Sequence, residues 1–371
     1  MNSKQELARE LADQLRGRPP DELSTPLALV DLDALERNVA TMATRLAGTA
    51  FLRPHAKTHK CVEIAQRQLT AGALGVTVAT AAECIAFARA GVGELLLANE
   101  VSDPPKLAMI ADAAAHVPLM VAADDPHVVA QLARAAAEGG VQIGVLIEVD
   151  VGMGRGGSRT IEDTLAVAHA VGEHDALALR GLTGYEGHAV LEPDLGRRTE
   201  MSMVAMDLLA EHVQAVRDLG VAAEIVSAGG TNTSAITSAH PIVTELQAGT
   251  YALMDTAYAP FAPDFEPALT VLGSVSSRHG SRAILDCGTK VVGVMDLAPA
   301  RVVGFDATVA ELHEEHALLD LGDADLRLGD RVELVVGYCG GTVNLHDYYV
   351  VMKDGAVCDV WPIVARGAGW P

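Results

Sequence analysis

The chain has 371 residues, half of them apolar, and 49 acidic against 27 basic residues leave a formal charge of −22. That length calls for one large or two unequal domains around a sizeable core, and the charge argues against a nucleic-acid partner or an anionic membrane surface. Five scattered cysteines without a CxxC spacing indicate neither a disulfide framework nor a thiolate zinc site. The charged stretch from Met1 to Arg18 and the lack of an apolar run of about 20 residues fit a soluble cytoplasmic protein without a signal peptide or membrane span.

Lys4 to Leu15 has apolar residues at helical spacing among many charges, the pattern of a surface helix, which Pro19-Pro20 ends. Pro26 to Val30 reads as a strand, and Asp33 as the cap of a helix to about Leu46. From Phe51 short apolar strands alternate with helical patterns. The strands are expected near Phe51–His55, Gly75–Val78, Glu94–Leu97, Pro118–Val121, Val145–Val149, Leu182–Tyr185, Glu224–Ser227 and Val243–Gln247. Eight such units in about 200 residues fit a (β/α)8 barrel of the TIM type better than an open doubly wound sheet. No GxGxxG opens the first helix, which removes the Rossmann reading.

After about Pro263 the helical patterns stop. Alternating β-rich runs follow at Leu269–Val275, Ala283–Asp286, Arg301–Phe305, Ala317–Leu319, Arg331–Val336, Tyr348–Lys353 and Ala356–Trp361, the last two joined by a tight hairpin at Asp354-Gly355. The expected division is an N-terminal helix and strand over 1–45, a barrel over 46–263 and a smaller β domain over 264–371. The strand at Leu27–Val30 precedes the barrel and is a candidate to join that β domain.

The chemistry-bearing residues fall at the C-terminal ends of the barrel strands, the face on which barrel enzymes build their sites. The first strand runs into Arg53-Pro54-His55-Ala56-Lys57-Thr58-His59-Lys60. Alone, this octet fits a basic surface turn as well as a lysine that forms a Schiff base with an aldehyde such as pyridoxal phosphate. After the fifth strand comes Asp150 to Gly157, after the sixth Tyr185-Glu186-Gly187-His188, after the seventh Ser227-Ala228-Gly229-Gly230-Thr231, and after the eighth Gln247-Ala248-Gly249-Thr250-Tyr251. Glycines after strands seven and eight let backbone N–H groups approach a phosphate.

These motifs, with Glu148 to Arg155, Thr244 to Tyr251 and Asn344-Leu345-His346-Asp347, resemble the D-threonine aldolase and D-serine dehydratase group of alanine-racemase-like pyridoxal phosphate enzymes over nearly the whole chain. The resemblance implies that fold, that cofactor and a homodimer with active sites near the subunit interface. It implies Lys57 as the Schiff-base lysine, with Lys60 a solvated or structural neighbour. His55, two residues earlier on the same strand face, either packs near the cofactor ring or is a hydrogen-bonded core histidine. Arg155 would reach the cofactor's phenolic oxygen, or else pair within its own loop. Tyr185 would approach the pyridine ring. Ser227, Gly229, Gly230, Thr231, Gly249, Thr250 and Tyr251 would hold the phosphate. Gln247 stands where alanine racemases place an arginine against the pyridine nitrogen.

The sequence also departs from the group. Metal-dependent members carry a histidine and, two residues on, an aspartate or cysteine ahead of the Asn-Leu-His-Asp run. The matching positions are Tyr338 and Gly340, which argues against a divalent ion there. Tyr338 would then serve as the acid–base group in place of the metal, with a depressed pKa if it is to be a base; the alternative is simple packing. His188 or Glu192 takes the place of the histidine that the aldolases use after the strand-six tyrosine. The expected reaction is cleavage or formation of the Cα–Cβ bond of a β-hydroxy-α-amino acid by a metal-free route. Racemisation, dehydration by β-elimination and a non-catalytic cofactor carrier are the alternatives.

Overall fold

A computed structural model describes residues 2–295 and 298–367. The chain opens with helix α1 (Asn2–Leu15), strand β1 (Leu27–Asp31) and helix α2 (Leu32–Leu46). The Asp31 carboxylate accepts the Ala34 N–H at 3.0 Å, so the cap is Asp31 rather than the predicted Asp33. A cap must stand just outside the first helical turn, and that turn begins at Leu32.

Eight parallel strands follow, β2 (Phe51–Leu52), β3 (Gly75–Val78), β4 (Glu94–Leu97), β5 (Leu119–Ala123), β6 (Ile143–Glu148), β7 (Leu177–Gly184), β8 (Ile225–Ala228) and β9 (Glu245–Leu246). Helices α3 (Val62–Thr70), α4 (Ala81–Arg89), α5 (Pro104–Ala114), α6 (Pro126–Gly139), α7 (Ile161–Gly172), α8 (Leu195–Asp218) and the short α9 (Ser234–Thr237) alternate with them. Four of these helices start on a side-chain cap. Thr80 accepts from Glu83, Asp125 from His127 and Val128, and Asp194 from Arg197, while Thr160 and Asp163 form a capping box. The strand order β2-β9-β8-β7-β6-β5-β4-β3 is that of a nearly closed (β/α)8 barrel. Main-chain bonds from Thr77 to Pro54 and from Leu74 to Leu52, each 2.9 Å, bring the first and second strands together. Leu96, Met120 and Leu146 on β4, β5 and β6 cluster as part of the core.

Strand β2 is shorter than predicted. Proline has no N–H to give a ladder, and past Pro54 only an isolated bridge, His55 to Thr77, survives. Lys57 therefore lies in a single 3-10 turn, Ala56–Thr58, and strand alternation does not put it on one face with His55.

The rest of the chain is mostly strand: β10 (Leu269–His279), β11 (Arg282–Leu285), β12 (Arg301–Val302), β13 (Ala307–Leu312), β14 (Ala317–Leu321), β15 (Arg331–Val335), the helical turn α10 (Cys339–Thr342), β16 (Tyr348–Lys353) and β17 (Ala356–Pro362). They build a nine-stranded sheet in the order β13-β14-β11-β10-β1-β16-β17, with β15 beside β10 and β12 beside β15. The N-terminal strand β1 sits inside this sheet, antiparallel to β10 through Leu29–Thr270 and parallel to β16 through Leu29–Val350. The β16–β17 hairpin turns at Asp354 and Gly355 with φ of 51° and 76°, the left-handed pair that such a turn requires. Helix α1 packs on this sheet, with Ala8 and Ala12 against Leu23, Leu29, Leu272 and Val360.

The chain thus divides into two compact units. Met42–Lys57 and Ala65–Gly249 form the barrel; residues 2–41, Thr58–Ile64 and the described residues from Thr250 to 367 form the sheet unit. Among the described residues no helix is long and apolar enough to cross a membrane.

Candidate active site

In the barrel unit, Lys57 lies just beyond β2. Burial lowers its pKa and the positive charge of Arg155 lowers it further, against an opposing pull from Glu83. The neutral amine, the form that attacks a carbonyl, is therefore favoured. His55 is buried nearby in sequence, and its N–H donates to Ala248 at 3.2 Å. Lys60 is buried rather than solvated, at a φ of 50°.

Arg155 sits in the loop after β6. Asp150 shapes this loop by accepting the Gly152 and Gly154 N–H groups at 3.1 and 2.9 Å, and the Gly157 N–H goes to Asp124 at 2.9 Å. Gly157 has φ of 102°, and a Cβ there would strike the Asp150 nitrogen. Arg155 lies 3.5 Å from the carboxylate of Glu148, the last residue of β6. Burial and the neighbouring Glu100 carboxylate push the Glu148 pKa up to about 8, while Arg155 pulls the other way.

Across the barrel mouth, residues of β7, β8 and β9 share one hydrogen-bond network. The Thr183 hydroxyl donates to the Ser227 carbonyl at 2.9 Å. Its one proton is thereby used, so toward Gln247 it can only accept. The atom of Gln247 at 3.0 Å is accordingly Nε2, which also donates to Ser227 Oγ at 2.9 Å. The acceptor Oε1 is left without a partner among the described residues.

The ring of Tyr185 lies on the next loop. A Cβ on Gly230 would fall 3.3 Å from its Cε2, and one on Gly187 2.7 Å from its Cε1, so both glycines make room for the ring. Gly229, at φ of 79°, turns the chain where a Cβ would strike Leu246. The N–H groups of Gly229 and Gly230 point inward, to Glu186 and Thr233 at 3.1 Å each. Thr231 is buried in the same turn, and its carbonyl accepts the Ser234 hydroxyl at 2.8 Å. The N–H groups of Asn232 and Thr233 have no partner among the described residues. Gly249 ends the barrel unit.

Two predicted base candidates lie in the loop after Tyr185. His188 is exposed, its ring over Gly152, where a Cβ would come within 3.1 Å of it. It makes no hydrogen bond or ion pair among the described residues. Glu192 shapes the start of α8, accepting the Asp194 N–H at 3.1 Å and pairing with Arg197 at 3.3 Å.

The remaining candidates belong to the sheet unit. Thr250 and Tyr251 begin it in a 3-10 turn, with the Tyr251 ring against Phe265 at a centroid distance of 5.6 Å. Tyr338 is the residue that precedes α10, so positions 338 to 340 form a turn and not the strand-like run expected. Its ring folds over Gly340, and a Cβ there would lie 2.8 Å from the phenol oxygen. Burial and the neighbours Cys339 and Asp255 raise the Tyr338 pKa, the opposite of the depression that a base role would require. His346 bonds to the Val291 carbonyl at 2.8 Å, and Asp347 pairs with Lys4 at 3.2 Å and Arg366 at 2.7 Å.

The residues fit the cofactor. A half-buried lysine with a lowered pKa, a cation in the neighbouring loop and unpaired N–H groups beside closely packed glycines are what a pyridine aldehyde with a phosphate needs. At the metal position the Tyr338 ring occupies the space of a side chain at 340. Among the described residues no group of three or more His, Cys, Asp or Glu could hold an ion. Sequence reasoning gave no role to Glu186, Thr183, Glu100 or Asp255. The signal for Glu186 was an acid directly after an apolar strand, among residues already singled out.

Residues 30–257 match the alanine racemase N-terminal domain, and residues 268–352 match the putative serine dehydratase domain. The chain belongs to the alanine-racemase-like pyridoxal phosphate enzymes. Within them it falls in the branch of the D-threonine aldolases and D-serine dehydratases. It is 36% identical over 375 residues to D-threonine aldolase of an Arthrobacter species, covering 98% of this chain and 99% of the relative. It is 33% identical to 3-hydroxy-D-aspartate aldolase of Paracoccus denitrificans, covering 96% and 95%. The crystal structure of D-threonine aldolase from Filomicrobium marinum superposes with a TM-score of 0.91 at 33% identity, over 95% of this chain and 98% of that one. The D-threo-3-hydroxyaspartate dehydratase of a Delftia species superposes at 0.82 with 25% identity, over 95% and 100%.

Proposed function

We propose that this enzyme is a pyridoxal-phosphate-dependent lyase that cleaves or forms the Cα–Cβ bond of a β-hydroxy-α-amino acid of D configuration, without a divalent metal. The observation that carries the reaction type is the full-length similarity to two aldolases of different substrates, at 36% and 33% identity. Pyridoxal phosphate bound through Lys57 supplies an acceptor for the electron pair left at Cα when a bond there breaks.

The protein's own groups supply the rest. The phosphate would rest on Asn232 and Thr233 N–H groups with Thr231, Gly249, Thr250 and Tyr251 around it, and Ser227 behind it. Arg155 would meet the phenolic oxygen, Tyr185 the ring face, and His55 the ring's neighbourhood. Gln247 would offer Oε1 to the ring nitrogen, an oxygen that can only accept and so favours a protonated nitrogen. Lys57 Nζ, whose lowered pKa favours the uncharged amine, would be the group that takes the β-hydroxyl proton in cleavage. Tyr338 is assigned by its place six residues ahead of the Asn344-Leu345-His346-Asp347 motif, as a neutral phenol that would hydrogen-bond to the β-oxygen and protonate it in the direction of bond formation. His188 is the further base candidate. The working form we infer is a cytoplasmic homodimer.

The test combines substrates with chelation. D-threonine should give glycine and acetaldehyde, and 3-hydroxy-D-aspartate glycine and glyoxylate, both unaffected by exhaustive chelation. Borohydride reduction followed by peptide mapping should mark Lys57, and Lys57→Ala should abolish the mark. Pyruvate from D-serine or L-alanine from D-alanine as the main product would replace this reading with elimination or racemisation. A mark on Lys60 or Lys290 would remove its cofactor assignment.

A further inference from the structure

We propose that Glu186 is the positioning residue of the phosphate cradle, a buried carboxylate that decides which N–H groups of the loop after β8 face the phosphate. This rests on the reading of that loop given under the proposed function. Glu186 is fully buried, and it follows Tyr185 directly. One oxygen accepts the Gly229 N–H at 3.1 Å. The other accepts the hydroxyls of Thr233 at 2.6 Å and Thr237 at 2.5 Å. All three donors come from the segment that follows β8, whereas the carboxylate comes from the loop after β7.

The hydroxyl of Thr233 makes the arrangement directional. It accepts the Gly230 N–H at 3.1 Å. A hydroxyl has one proton, and here it goes to Glu186. Gly230 N–H, Thr233 hydroxyl and Glu186 therefore form a relay in which each group has one available sense. Both glycine N–H groups are turned inward, and the chain is rolled so that the next N–H groups, of Asn232 and Thr233, remain unpaired among the described residues. A carboxylate suits this position because it accepts several hydrogen bonds and donates none when ionised. The Tyr185 ring rests against Gly230, which leaves little room for a side chain in this turn.

A cradle set in this way acts on the phosphate and not on the aldehyde. The test therefore compares pyridoxal phosphate with pyridoxal, which lacks the phosphate. Both are titrated into the full-length enzyme stripped of cofactor, as wild type, Glu186→Ala and Glu186→Gln, and the absorbance of the lysine-bound form is followed. In Glu186→Ala the affinity for pyridoxal phosphate should fall roughly 10- to 100-fold, as expected for lost hydrogen bonds to a charged group. The affinity for pyridoxal should stay within about 2-fold, since its contacts with the ring and Lys57 are untouched. Glu186→Gln keeps one oxygen for the Gly229 N–H and should lie between; if the alanine variant does not fold, the glutamine variant decides by the same ratio. Unchanged affinity for pyridoxal phosphate, or an equal loss for both ligands, would overturn the proposal. A wild type that takes up no pyridoxal phosphate on Lys57 removes the functional reading instead.

Discussion

Desolvation drives Lys57 and Tyr338 toward the same end from opposite directions. The lysine pKa falls and the phenol pKa rises, so burial favours the uncharged form of each. A neutral amine accepts a proton and a neutral phenol donates one, so the two assigned groups differ in task without differing in charge. Tyr338 merits its own test because its ring lies where a ligand side chain at 340 would stand. In Tyr338→Phe, turnover of the best β-hydroxy amino acid should drop at least ~100-fold while cofactor loading is unchanged. A phenylalanine enzyme with normal turnover, or a wild type that needs manganese or zinc after chelation, would return Tyr338 to a packing role.

Among the elements, strand β6 carries a pH response at its last residue, Glu148. Folded Glu148 keeps its proton up to about 8, whereas its ordinary value is 4.5. The folded state then binds more protons than the unfolded chain between those values. The stability that Glu148 contributes is full below 4.5 and is lost as pH rises through about 8. Glu148→Gln, neutral throughout, should flatten the profile of unfolding free energy over this window, as read by urea titrations along it. Parallel profiles for the two proteins would show that another group sets the slope. Much of the barrel at this scale was legible from alternation, because eight apolar strands and their helices leave a clear rhythm. The register of Lys57 was not, since a proline ended β2 early and replaced strand alternation by a turn. β13 was missed because its residues are half-buried or exposed and show no apolar alternation. Glu186 was hidden for another reason. Its three donors lie more than 40 positions away, and only the fold brings them together.

At the scale of the molecule, a buried cation sits at the seam of the barrel. Arg53 is almost fully buried and pairs with the equally buried Glu245 of β9 at 2.9 Å, and with Glu94 of β4 at 3.2 Å. Gly75 permits this, since a Cβ there would collide with Arg53 Nη1. The pair joins the first strand to the last, where only short runs of main-chain bonds do so. Arg53→Ala leaves Glu245 buried without its partner and should cost about 3–5 kcal/mol in denaturant unfolding. Replacing both Arg53 and Glu245 by Met should recover part of that loss, because no lone charge then remains. A single variant as stable as wild type would mean that water reaches Glu245.

The placement of β1 between β10 and β16 has a consequence for the timing of synthesis. Leu29 leaves the ribosome long before Thr270 and Val350, its partners on either side. At ~5–20 residues per second, that gap is on the order of ten seconds to a minute. Throughout it the nascent chain displays an apolar strand with two empty edges, the kind of segment that other chains can pair with. Strands β3 to β9 meanwhile find their neighbours in order, each within one helix of the last. The newborn enzyme therefore passes through a stage in which its barrel can form while its earliest strand still waits, and during that stage its yield depends on what shields Leu27–Asp31.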